Sequence, residues 1–205
     1  MCMQDTNLRP YALGALYHHE ALNGTGYPNG VTRKDIPIEG QIIRVADEFD
    51  AIVSKRQYKS HIGITDTLKI LIKETKYVPK VVALKSIEEN TKIGKLNPKI
   101  VRTLFKVVID DIEYEISGIF DYSKYLRNQI ERLEKINSYN IKISKTKKQS
   151  KKDYFTECIK LLFREGEDFK NYKFVLEDYR TALFKRKEII NRLYDEIKEI
   201  KKLRC

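Results

Sequence analysis

One octet in this chain, Asn23-Gly24-Thr25-Gly26-Tyr27-Pro28-Asn29-Gly30, can enter neither helix nor strand, and it divides two stretches of helical periodicity. Three glycines, a proline and two asparagines break both regular structures. Upstream, Pro10 suits the opening of a helix, where its missing N–H costs little. That first helix is expected to reach about Leu22, with Leu13, Leu16 and Tyr17 as an apolar face beside His18 and His19. Downstream, Ile42, Ile43, Ala46, Phe49, Asp50 and Val53 recur at helical spacing and predict a second helix from about Ile38 to Ser54. Residues 18–59 thus run in the order His-His-Glu, glycine-rich loop, Val-Ala-Asp and Arg-x-Tyr-Lys.

The rest of the chain also reads as helix. A third helix is expected over about Ile64–Lys76 with Thr65 or Asp66 as its cap. Residues 77–95 are ambiguous, and 98–109 are helical again. Ile112, Ile116, Ile119, Ser123, Leu126, Ile130, Leu133 and Asn137 then alternate by four and three, the spacing of a long helix with an apolar seam, broken at Gly118 or Asp121 if anywhere. Such a seam either packs on its own domain or pairs two copies of the chain. Lys142–Lys152 holds six lysines and no acid and reads as a solvated linker. Residues 153–205 resume an amphipathic pattern, with Ile190, Leu193, Ile197 and Ile200 on one stripe.

Composition agrees with an all-α protein. Of 205 residues, 41% are hydrophobic and 34% charged, with only 9 glycines and 5 prolines. The formal charge of +11 favours anionic partners, though the lysine run supplies much of the excess. Cys2, Cys158 and Cys205 are odd in number and form no Cys-x-x-Cys pair, which suits a reducing cytoplasm better than a disulfide framework. No apolar run approaches the roughly 20 residues needed to span a bilayer, and no signal peptide precedes the motif. The expected location is cytoplasmic.

Adjacent histidines on a helix point about 100° apart, so they serve two neighbouring ions better than they chelate one. Asp47, on the second helix, supplies a hard oxygen ligand. Imidazole with carboxylate suits iron, manganese or zinc. Two such ions about 3.5–4 Å apart would activate water and clamp both oxygens of an in-line phosphoryl displacement.

In this order the motifs closely resemble the second half of an HD-GYP domain, the bacterial cyclic di-GMP phosphodiesterase module of the HD superfamily. The resemblance covers about residues 8–109 and is strongest over 18–59. It implies a partial HD-like helical bundle over residues 1–110, followed by an amphipathic helical extension (111–140), the lysine-rich linker (141–152) and a helical tail (153–205). It also implies a site of two or three divalent transition metal ions, iron or manganese first, that hydrolyses cyclic di-GMP to pGpG or GMP. His18, His19 and Asp47 match the family's metal ligands. Gly26, Tyr27 and Pro28 match the loop bordering its substrate pocket, and Arg56 and Lys59 match groups that bind substrate phosphates. Glu20 is open to two readings, an outer-shell carboxylate that holds an imidazole or pairs with a base, or a residue with a helix-surface or salt-bridge role. Asp50 reads as a structural hydrogen-bonder, Asn23 as a shaper of the loop and His61 as unrelated to the site. Gln41 stands where the family often has arginine.

The family's first half carries a His-Asp pair, a catalytic lysine and a further histidine, none of which stands in the 17 residues before His18. Three protein ligands cannot hold a multinuclear site. The chain is therefore expected to be a truncated or split phosphodiesterase needing an upstream HD half for activity. The alternative is a non-catalytic nucleotide-binding or protein-interaction module. Expected partners are cyclic di-GMP or a related nucleotide, and an HD-half polypeptide or a second copy through helices 112–137 and 186–204. Nucleic acid is not expected, because the lysine run lacks the aromatic interleaving of a recognisable binding module.

Overall fold

The computed structural model describes residues 11–54, 63–76, 93–164, 166–167 and 170–203. The protein is all-α, with six helices among those residues: α1 (Ala12–Tyr17), α2 (Ile38–Ser54), α3 (Ile64–Glu74), α4 (Pro98–Lys145), α5 (Gln149–Leu162) and α6 (Tyr172–Lys202). No helix among them is long and apolar enough to cross a membrane. The chain divides into two compact units, residues 1–111 with 196–205, and residues 112–195.

In the first unit α1 is shorter than its pattern suggests, and of its expected apolar face only Tyr17 meets α2. Leu13 and Leu16 are 53% and 47% exposed. Contact with α2 runs instead through glycines: a Cβ on Gly14 would stand 2.7 Å from Ile43 Cδ1, and one on Gly40 2.8 Å from Tyr17 Cβ. On α2 the buried positions are Gly40 and Val45, while Ile42 and Ile43 stay exposed. Ile42 is exposed because it opens into an apolar groove of about 360 Å³ between α2 and the first turns of α4, lined also by Ile38, Val45, Ile100 and Leu104.

Gly63 occupies the N-cap of α3 without a side-chain cap, so neither Thr65 nor Asp66 serves there. Leu68 and Leu71 on α3 are fully buried. At the other end of α3, the N–H groups of Lys95 and Leu96 both donate to the Glu74 carbonyl, at 2.7 and 3.1 Å. Asn97 then caps α4: its Oδ1 accepts the Lys99 N–H at 3.0 Å, with Pro98 at the first helical position. Its Nδ2 donates to Gln41 Oε1 at 2.8 Å, and Gln41 Nε2 donates to the Ile36 carbonyl at 2.9 Å. Gln41 thus ties α2 to the start of α4 without a charge.

In the second unit the seam of α4 is occupied within the chain. Ile112, Ile116, Ser123, Leu126 and Leu133 are buried, as are Gln129 and Ile136, and Gly118 and Asp121 leave the helix unbroken. Leu133 and Ile136 form a core with Ile159 of α5 and with Tyr172 and Leu176 of α6. One bidentate pair secures the α5–α6 turn: Arg132 donates to both carboxylate oxygens of Glu167, at 2.6 and 2.7 Å, and to the Leu162 carbonyl at 2.8 Å. Those bonds hold the Glu167 carboxyl down at about 2. The lysine run differs from its reading as a linker. Helix α4 continues to Lys145 and α5 begins at Gln149, so only 146–148 connect them.

Candidate functional site

The motif region is organised by a loop that folds back on its own start. Gly24 and Gly30 have φ of +76° and +63°, a conformation that disfavours any side chain. Gly26 is required for a different reason: its Cβ would stand 2.3 Å from Ala21 N and 2.4 Å from Glu20 Cα. The chain at Gly26 therefore lies directly on the backbone of residues 20–21. Asn23 Oδ1 accepts from the Thr25 N–H and hydroxyl, at 3.2 and 2.7 Å, which makes it the shaper of the turn. Asn23 also pairs with Thr32 in an isolated antiparallel bridge, and the Leu22 N–H reaches the Lys95 carbonyl at 3.0 Å.

Glu20 is the most buried polar group of this loop, at 2% exposure. Its Oε1 accepts the Asn29 N–H at 2.7 Å, while Oε2 is buried with no hydrogen-bond partner among the described residues. That burial takes Glu20 off the helix surface. Glu20 staples the far side of the Gly-Tyr-Pro loop to the histidines.

His18 and His19 are half-buried at the end of α1, with ring centroids 3.9 Å apart. His18 Nδ1 lies 2.7 Å from the Ala15 carbonyl. A carbonyl only accepts, so Nδ1 carries the hydrogen, and in the neutral ring Nε2 presents a free lone pair. The His19 ring stacks on Tyr27, centroids 4.6 Å apart, and Tyr27 remains 59% exposed. The His19 carbonyl accepts both the Tyr27 N–H, at 3.3 Å, and Arg44 Nη1 of α2, at 3.4 Å. Arg44 also pairs with Glu48 at 3.2 Å. Its part in the site was missed from sequence, although it stands one turn before Asp47 on α2, a spacing that places two side chains on neighbouring surface.

Asp47 lies on an exposed part of α2. Asp50, one turn later, accepts from Ser54 Oγ at 3.2 Å. Arg56, Lys59 and His61 lie outside the described residues. Among the described residues no group of three His, Cys, Asp or Glu side chains is close enough to hold one ion. Both imidazoles have the donor chemistry, and His18 has the prepared tautomer, but the described residues do not by themselves close a site.

Residues 2–81 match the family model described as HD domain. Over 46 residues the chain is 56% identical to a cyclic di-GMP phosphodiesterase of Thermotoga maritima, covering 22% of this chain and 12% of that protein. It is 54% identical over 48 residues to the cyclic di-GMP phosphodiesterase response regulator RpfG of Xanthomonas campestris, covering 23% of this chain and 13% of that one. A 3′3′-cGAMP-specific phosphodiesterase of Vibrio cholerae is 53% identical over 45 residues, 22% of this chain and 9% of its own length. The chain therefore spans only a small part of the relatives it matches. No solved structure matches it significantly. Phosphohydrolases with an HD domain are metal-dependent. Residues 2–81 thus carry an HD-domain match, and the curated relatives similar to this stretch are named as cyclic di-GMP or 3′3′-cGAMP phosphodiesterases, each matched over a small part of its length.

Proposed function

We propose that this chain contributes His18, His19, Asp47 and the Gly26-Tyr27-Pro28 loop to a divalent-metal phosphodiesterase site for a cyclic dinucleotide. The observation that supports this best is the His19 carbonyl, where a histidine of the ligand pair, the Tyr27 backbone and an arginine one turn from Asp47 meet at one oxygen. Motif elements far apart in sequence are coupled there, as a preorganised site requires.

Two or three iron or manganese ions are the metals of this reading, and when bound they supply Lewis acidity toward the phosphodiester. The chain's own residues have separate tasks. His18 is held by the Ala15 carbonyl so that Nε2 faces away from the helix. Tyr27 steadies His19 with one face of its ring and, being exposed, offers purine a stacking surface. Arg56 and Lys59 grip substrate phosphates, Arg56 with its planar fork and Lys59 as a point charge. The remaining ligands come from an HD half supplied by further polypeptide. Cyclic di-GMP and 3′3′-cGAMP are both candidate substrates, since relatives named for each match the same chain. A second reading, a binding module without catalysis, draws support from the absence of a closed three-ligand group among the described residues.

A segment exchange tests the proposal. The homologous stretch of the Thermotoga enzyme is replaced by this one and assayed with Mn²⁺ on both dinucleotides. Retained hydrolysis supports the catalytic reading, whereas a folded chimaera that binds no metal and turns over neither substrate favours the binding module. The chain alone is expected to bind metal weakly and give negligible turnover, and robust activity would show that it needs no further ligands.

A further inference from the structure

We infer that the turn between α4 and α5 is a docking surface for an anionic lipid membrane. The inference stands apart from the phosphodiesterase reading and rests on the second unit alone. Tyr139 of α4 stacks on Phe155 of α5, ring centroids 5.7 Å apart. Lys142 Nζ covers both rings, 5.2 and 5.6 Å from their centroids. This cluster pins the end of one helix to the start of the next, so the lysines of both helices and of the three-residue connection gather at one tip.

Lys145, Lys147, Lys148 and Lys151 are all exposed there, and among the described residues none of them forms an ion pair. Helix electrostatics explains only Lys142 and Lys145, which sit in the last turn of α4, where a cation is favoured. Lys147, Lys148, Lys151 and Lys152 crowd the start of α5, the end where a cation is disfavoured. The first turn of α5 holds no acidic residue, and Lys148 at its N-cap makes no side-chain cap bond. Folding alone gives no reason for four lysines at the positive end of a helix. An external polyanion does.

The chemistry of the tip selects among polyanions. Residues 139–155 contain six lysines and no arginine, so the forked recognition that suits single phosphates and base edges is missing. Ile141 and Tyr154 beside the lysines are 46% and 65% exposed. Apolar and aromatic side chains among lysines with long apolar stems are the composition of a surface that lies at a lipid headgroup layer. A cluster of 4–8 basic residues is also the charge count that anionic leaflets attract.

Co-sedimentation of the full chain with vesicles tests this. Phosphatidylcholine vesicles with about one-third phosphatidylserine should bind the chain, and pure phosphatidylcholine should not. Lys145→Gln, Lys147→Gln, Lys148→Gln and Lys151→Gln together should lower the partition coefficient by on the order of 1,000-fold, with the helical circular dichroism retained. Ile141→Ser with Tyr154→Ser should lower it about fivefold. Equal binding to both vesicle types, or an unaffected quadruple variant, overturns the inference. Tighter lysine-dependent binding of an oligonucleotide that displaces the chain from vesicles also overturns it, in favour of nucleic acid.

Discussion

The loop of residues 20–33 and the helical unit of residues 112–195 achieve order by opposite means. In the loop, named atoms do the work. A buried carboxylate takes the Asn29 N–H, a backbone position admits only glycine, and one carbonyl accepts from both the loop and α2. In the helical unit, repeated apolar contacts do it, with Leu126 and Ile136 fully buried along one seam. Changing one residue of the loop removes a specific geometry, whereas changing one residue of the seam removes an increment of burial. The proposed function draws on the first kind of order, and stability on the second.

The largest effect expected from this contrast is at Gly26. Gly26→Ala must displace the backbone of residues 20–21, which directly follows the histidines. Displacements of that size cost on the order of 10²-fold in rate. In the Thermotoga chimaera kcat/KM should fall by at least that much, and an active Gly26→Ala chimaera would mean that the loop tolerates a different path. Leu126→Ala in the intact chain should cost about 2–5 kcal/mol in denaturant unfolding of the helical unit. The same substitution should leave metal binding by the histidine segment unchanged.

Arg132→Ala should cost about 1.5–3 kcal/mol, the range for hydrogen bonds to a charged group, reduced by the one-third exposure of Glu167. The pair also fixes the sign of a pH dependence. Glu167 titrates near 2 in the folded protein because Arg132 favours its ionised form, against about 4.5 when free. Its contribution is therefore complete above about 4.5 and is lost as pH falls toward 2. Stability of Glu167→Gln should show a shallower decline over that window, and an identical acid limb would contradict the pairing. The smallest effect is expected at Gln41. Gln41→Ala removes the acceptor of Asn97 Nδ2 and should cost about 1 kcal/mol.

What the sequence disclosed follows the same division. The bounds of α2, the glycine loop and the apolar seam of α4 were legible because periodicity and turn chemistry are local, whereas what covers that seam was not. The exposure of Leu13 and Leu16 was not, because an apolar pattern cannot tell which glycine will bring two helices together. The lysine run looked like a linker since charge density resembles solvation, yet the Tyr139–Phe155 contact that orders it joins two helices. Arg44 escaped notice because its partner is a backbone carbonyl, which no residue identity reveals. Glu20 adjoined the histidines in sequence, but only its burial and its bond to Asn29 separate a staple from a surface charge.

The central claim is that Asp47 and the histidine pair hold metal for phosphodiester hydrolysis, while Asp50 serves only its own helix. Paired substitutions in the chimaera, Asp47→Ala and Asp50→Ala, test it through bound Mn²⁺ and cyclic di-GMP turnover measured on the same samples. Loss of both metal and turnover in Asp47→Ala, with both largely kept in Asp50→Ala, is the expected result. Full metal content and turnover in Asp47→Ala would contradict the claim.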